Sequence, residues 1–359
     1  MKNELQEWEI PNWEQYTNAP ELWYENNLHE LNCSLWVTYH NPTFVPMTFQ
    51  NMNKQYNVDE SVMVDINYIR RTDSWNKSKY IFIVGQESFC RNWTKYKDNI
   101  YVIDSTFMPY NTRFVPFFWW FGFVVDIEQN LLFCDKLVSN TDKQKNKNIK
   151  VFDCLMGRPR PHRQFISDII NANKLLQLSG IYSQFRGNQE FHLRGTDLAQ
   201  EKKGAFAEIY TNDGMFVYDK EKGSTCRVPL AVPYLIYNES YYTIVAETRN
   251  DHVFLTEKTA KPIIAERLFI MIGAQHTLKH MQAHGFKTFG SVIDESYDDE
   301  PDDEKRWSMA MEQVEFLCTA DHCDVLTKIQ SIVEHNRKFL INKCSWDSLN
   351  DSIAEIINQ

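Results

Sequence analysis

Much is missing from this 359-residue chain, and each absence removes a class of protein. There is no Gly-x-Gly-x-x-Gly run and no Gly-Lys-Ser/Thr, which weakens the case for a dehydrogenase or a P-loop enzyme. No apolar run reaches the about 20 residues that a membrane-spanning helix needs; the most apolar one, residues 114–125, reads as a buried strand pair. The amino terminus, Met1-Lys2-Asn3-Glu4, is too polar for a signal peptide. Positive charge is in deficit. A net charge of −10 argues against a purely electrostatic nucleic-acid binder. The eight cysteines are dispersed, with no Cys-x-x-Cys pair, and Cys318 and Cys323 lack the partners a zinc set requires. They read as reduced thiols of a cytoplasmic protein. No solenoid-type repeat is present.

What is present is unevenly spread. Aromatics are abundant, and Phe117-Phe118-Trp119-Trp120 form one block. Such a block is either core or a platform on which a sugar or base can stack. Lys136, Lys143, Lys145, Lys147, Lys150, Arg158, Arg160 and Arg163 crowd one segment, whereas acids concentrate between Asp294 and Glu304. The acidic run has neither EF-hand spacing nor a glycine, so it reads as a solvated loop rather than a cation site. His276, His280 and His284 share a helix face without a carboxylate or thiol partner, and read as a packed or solvated face. No metal and no cofactor are expected.

Hydrophobic patterning divides the chain into two α/β series. In the first, residues 31–40, 62–69, 80–85 and 100–104 read as strands, the last two of parallel type. Residues 140–148, rich in Lys, Asn and Asp, read as a loop or linker. The second series starts with a strand at 150–155. A helix at about 164–178, a strand at 180–185, a charged loop-like stretch at 194–225 and strands at 241–247 and 268–273 follow. Helices are expected at 276–284, stopped by Gly285, and at 306–318, 325–339 and 346–357.

Between the last two strands lies Thr256-Glu257-Lys258-Thr259-Ala260-Lys261-Pro262. Strand, loop, short helix and strand make a βαβ unit. Its helix opens with a carboxylate and a lysine, groups that suit ribose hydroxyls and phosphates, and the helix N-terminus itself favours anions. Residues 242–273 resemble the nucleotide-sugar segment of α1,3-fucosyltransferases: an apolar strand, a Glu-led turn at Glu247-Thr248-Arg249, then Thr256-Glu257-Lys258, a helix and a second apolar strand. Arg249 departs from the serine of that family, so the resemblance leaves the sugar open. Residues 285–298 look like glycosyltransferases encoded by tailed bacteriophages. The match covers about sixty residues.

The resemblance implies an α/β, GT-B-like fold: two facing Rossmann-like domains with C-terminal helices. Residues 1–145 would bind the acceptor and 146–335 the nucleotide sugar, with helices in 336–359 able to cross back. It also implies a ribose contact for Glu257 and a diphosphate contact for Lys258, with an arginine from the start of the nucleotide domain on the diphosphate. Arg158, Arg160 and Arg163 are the candidates. Lys261, Glu247 and Thr256 complete the expected donor site; Thr256 reads equally as a helix cap, Lys261 as a solvated lysine, and Glu247 either as a contact to the ribose or base or only as the residue that fixes its turn. Glu87 and Asp104 each end a strand of the first series and are the alternative general bases, or alternatively helix caps. Lys143, Lys145, Lys147, Trp119 and Trp120 are the expected acceptor contacts. The acceptor is either a glycan or a hydroxymethylated base in DNA, the latter flipped from the duplex. The expected activity is an inverting, metal-independent sugar transfer in the cytoplasm, the host's if the chain is phage-encoded. A non-catalytic nucleotide- or nucleic-acid-binding module is the rival. Nothing in the sequence sets an oligomeric state.

Overall fold

The computed structural model describes residues 118–157, 159–186, 190–196, 216–219, 224–227, 230–345 and 348, together with five strands before them. The chain divides into two compact units, 1–119 with 347–359, and 120–346.

In the first unit the strands are β1 (Cys33–Thr38), β2 (Phe44–Pro46), β3 (Tyr80–Val84), β4 (Ile100–Asp104) and β5 (Phe114–Pro116), in the order β2-β1-β3-β4-β5. β3, β4 and β5 are parallel; β1 is antiparallel to β2 and β3. The near-continuous apolar runs of β3 and β4 suit their parallel pairing. The expected strand at 62–69 and the helix at 346–357 fall outside the described residues, apart from the single position 348.

The second unit is built on a sheet in the order β12-β11-β6-β7-β8. β6 (Lys150–Cys154), β7 (Gly180–Arg186), β11 (Ser240–Ala246) and β12 (Phe269–Ile272) are mutually parallel, and β8 (Glu190–Arg194) runs antiparallel to β7. β9 (Phe216–Asp219) and β10 (Ser224–Arg227) form a separate antiparallel pair. The stretch read as loop-like therefore contains strands; its charged side chains masked the pattern.

Four further readings are corrected. Residues 114–125 are not a strand pair: after β5 the aromatic block enters helix α1 (Trp119–Leu131). An all-apolar run has no periodicity to separate strand from helix. Residues 140–148 hold a short helix, α2 (Asn140–Lys143), capped by Ser139. The helix expected at 164–178 is two helices, α3 (Pro161–Ala172) and α4 (Lys174–Ser179). Asn173 divides them, since its side chain caps α4 by accepting from Leu175 N and Leu176 N. The acidic run is not simply solvated. Tyr297 and Asp298 are buried, and the Asp298 carboxylate accepts from Leu278 N and Lys279 N at the start of α7 (Thr277–Ala283).

The remaining helices are α5 (Tyr234–Asn238), α6 (Glu257–Ile264), α8 (Asp303–Thr319) and α9 (His322–Lys343). α7 ends at Gly285, whose φ of 97° is the left-handed geometry a helix stop favours. Gly180 is needed for another reason: a Cβ there would lie 2.3 Å from the Phe152 ring across the β6–β7 pair.

Two βαβ crossovers leave the middle of this sheet in opposite directions. β6 connects through α3 and α4 to β7, and β11 through α6 to β12. Right-handed crossovers of opposite sense put their helices on opposite faces. Accordingly α8 packs on α3 and α4, and α9 packs on α6. The sheet is thus covered on both sides, and β11 is buried along its whole length. The strand order reverses between β6 and β11. Ligands of open α/β sheets bind at such a switch point, beyond the carboxyl ends of the strands.

Candidate donor site at the β6–β11 switch point

Glu247 follows β11 at that point, and its side chain is buried. Oε1 accepts from Thr256 N at 2.8 Å and Thr259 Oγ1 at 2.6 Å; Oε2 accepts from Thr256 Oγ1 at 2.6 Å and Thr248 N at 3.2 Å. The carboxylate is therefore filled by the first turn of α6 and by its own turn. Of the readings open for Glu247, a contact to the ribose or base or a fixed turn, these bonds are those of the last: the carboxylate holds its own turn and the start of α6.

The β6 side supplies the other wall. α3 starts with Pro161, whose fixed φ suits a first helical position. This turn delivers His162 and Arg163, both buried, to the end of β11. His162 Nε2 donates to the Glu247 carbonyl at 2.7 Å, and Arg163 Nη2 donates to the Ala246 and Glu247 carbonyls at 3.0 Å each. Burial pushes the His162 imidazole down to about 4, with the charges of Arg163 and Arg160 adding to the effect and the Glu247 carbonyl opposing it. The ring is neutral near pH 7 and packs against Trp307 of α8. Arg160, the residue before α3, is exposed. Arg158 lies outside the described residues.

On the β12 side, Thr256 is the N-cap of α6, its hydroxyl accepting from Lys258 N at 3.4 Å. Lys258 is half-buried and its Nζ reaches Glu257 Oε1 at 2.7 Å, Thr248 Oγ1 at 3.2 Å and Thr256 Oγ1 at 3.2 Å. Burial alone would raise the Glu257 carboxyl, but the charges of Lys258 and Lys261 outweigh it and hold the group below its ordinary range. Burial lowers Lys261 to about 8, against the pull of Glu257. One hydrogen-bonded chain thus runs from Arg163 through Glu247 and Thr256 to Lys258. It links an arginine and a lysine to a helix N-terminus at one end of the sheet, a suitable setting for phosphate oxygens, and the Lys261 charge acts on the same Glu257 carboxylate.

Other expected residues lie elsewhere. Lys143 is buried, and its Nζ donates to the Ser240 carbonyl at 3.1 Å, at the opposite end of β11. It does not extend an exposed basic face. Lys145 and Lys147 are exposed, Lys145 pairing with Asp142 at 2.6 Å. Trp120 sits half-buried in α1, edge-on to Phe123; the Trp119 side chain is outside the described residues. Asp104 is the last residue of β4, and its side chain, like all of Glu87, also lies outside them. Among the described residues no group of three His, Cys, Asp or Glu side chains could hold a metal ion, and no helix is long and apolar enough to cross a membrane.

Sequence reasoning missed Arg306 of α8. It is buried and donates to the Gly273 carbonyl at 3.3 Å, just beyond β12, to the Glu300 carbonyl at 2.8 Å, and to Asp303. Asn250, in the turn after β11, donates to Asp303 Oδ2 at 3.0 Å. These contacts tie the loops at the rim to α8. The Asp302-Asp303 pair at the helix start was their only sequence signal.

No family model matches the chain, and no curated protein matches it. Among solved structures it is similar to two crystal structures of α1,3-fucosyltransferase, one with GDP-fucose. Each has 12% identity and a TM-score of 0.37. The match covers 72% of this chain and 66% of the GDP-fucose structure's chain, just under two thirds, and 77% and 70% for the other.

Proposed function

We propose that the chain is a nucleotide-sugar-dependent glycosyltransferase whose 120–346 unit holds the donor at the β6–β11 switch point. The supporting observation is the convergence there of Arg163, Lys258 and the α6 N-terminus through the Glu247 hub. In this reading Lys258 exchanges its pairing with Glu257 for the diphosphate, and Glu257 turns to the ribose, as the family resemblance implies.

The transfer is inverting. An acceptor hydroxyl oxygen attacks the anomeric carbon while a carboxylate, Glu87 or Asp104, takes its proton. The bond from that carbon to the diphosphate oxygen breaks, and the departing nucleoside diphosphate keeps the electron pair. Fixed cations stabilise the charge that develops on it, with Arg163, Arg160 and Lys258 in this role and no metal required. The acceptor is a glycan or a hydroxymethylated DNA base. Arg249, bound by Asp251 at 2.8 Å, is not counted among the phosphate contacts.

Calorimetry of the intact chain with nucleoside diphosphates and their sugars tests the donor assignment. One nucleotide class should bind, and Lys258→Ala should weaken it by about 1.5–3 kcal/mol, roughly 10- to 150-fold, with the fold retained. Equal affinity in the folded variant would remove the site. Binding without donor turnover on any acceptor would favour the non-catalytic module instead.

A further inference from the structure

A cavity of about 210 Å³ opens at the amino-terminal ends of β11 and β12, the far end of the sheet from Lys258. Its wall includes Ser139, Lys143, Tyr241, Arg267, Gln330 and Arg337. One water needs only about 10–15 Å³, so a compact molecule fits.

Among the described residues, the ionisable side chains around it do not all find partners of opposite sign. Arg267 is committed to Asp153 at 2.6 Å and to the hydroxyls and carbonyls of β11, with its guanidinium over the Tyr237 ring. Arg337 at the rim faces Glu266 at 3.5 Å. Lys143 is left over. It is only 5% exposed, it has three N–H donors, and among the described residues its one acceptor is the Ser240 carbonyl. No carboxylate among them lies within ion-pairing distance of it. An ammonium taken from water without a counter-charge costs several kcal/mol.

We propose that this cavity binds a small molecule carrying one oxyanion, a carboxylate or a phosphate, whose charge pairs with Lys143. Arg337 closes the rim over it, and the Ser139 hydroxyl and the Gln330 amide offer neutral hydrogen bonds. Burial lowers Lys143 to about 6, the Arg267 charge adding to the effect and the Asp153 charge opposing it. A bound anion would restore the ammonium form. The site does not depend on the donor assignment: α6 spans roughly 12 Å between the two ends of the sheet.

The test is thermal unfolding of the full chain against inorganic phosphate and acetate, in wild type and in Lys143→Met, Arg337→Gln and Lys258→Ala. Either anion, or both, should raise Tm saturably in wild type, and which one does so assigns the oxyanion. Lys258→Ala should keep this response, because its defect lies at the other end of the sheet. In the Lys258→Ala background Lys143→Met should abolish it, and Arg337→Gln, which alters only a half-exposed rim side chain, should weaken the anion about tenfold. Should Lys143→Met not fold, the Arg337→Gln and Lys258→Ala pair still decides. Loss of the response in Lys258→Ala with full response in Arg337→Gln would overturn the proposal, as would the absence of any anion effect in wild type.

Discussion

The Glu247 carboxylate is surrounded by donors from Thr248, Thr256 and Thr259, while its own carbonyl takes His162 and Arg163. Replacing it with glutamine would turn an N–H donor toward groups that already donate. Glu247→Gln should cost about 1–3 kcal/mol of stability, read as a lower urea midpoint, and should weaken donor binding through the displaced start of α6. Unchanged stability would mean that the hub is not bearing on the fold. His162 offers a separate residue-scale check. Its folded pKa of about 4 lies below the unfolded value of about 6.5, so the unfolded chain binds the extra proton first. Its contribution is fully present above about pH 6.5 and is lost as pH falls toward 4, by at most about 3 kcal/mol. In His162→Asn the difference in unfolding free energy between pH 7 and pH 4 should shrink accordingly; parallel pH profiles would exclude this role.

Elements set off by a sharp contrast between apolar and polar segments were legible in the sequence; others were not. β4, β6, β11 and β12 lie within a residue or two of their expected bounds, because parallel strands read as short apolar runs between polar loops. Gly285 stops α7 as expected. By contrast, α1 was read as strands because an aromatic run carries no period, and the break at Asn173 was missed although the asparagine is the cap that causes it. The candidate site was legible by type, since Thr256, Glu257 and Lys258 do open α6. Its second layer was not, because His162 and Arg163 reach the Glu247 carbonyl, and Arg306 the Gly273 carbonyl, from segments that no local pattern joins. Asp298 belongs to that layer. Its buried carboxylate caps α7 and holds the loop after β12. Asp298→Ala should lower stability by about 1–2 kcal/mol and speed hydrogen exchange at Leu278 and Lys279; unchanged exchange there would show that the cap is dispensable.

For the molecule as a whole, donor binding and transfer should separate by mutation. The cations proposed to hold the donor belong to the 120–346 unit, whereas Glu87 and Asp104, the proposed bases, belong to the 1–119 unit. Glu87→Gln and Asp104→Asn should each leave nucleotide affinity unchanged, and the variant that removes the base should lower turnover by about 10²–10⁴. Full turnover in both would place the base elsewhere. The acceptor is resolved by charge rather than by chemistry. Lys143 is unsuitable for this, since reversing a buried lysine would disturb the Arg267–Asp153 cluster beside it. Lys145 and Lys147 are exposed and can be reversed without touching the core. If DNA is the acceptor and these lysines meet its phosphates, Lys145→Glu with Lys147→Glu should raise the acceptor KM and flatten its dependence on salt, because fewer counterions are released on binding. A neutral glycan has no such atmosphere to release, so its KM should be the same in the double variant and at every salt concentration. Side-by-side assays on hydroxymethylated DNA and on a glycan panel separate the two. Turnover on DNA with no salt dependence in the wild type would rule out phosphate contacts by these lysines, whatever the sugar.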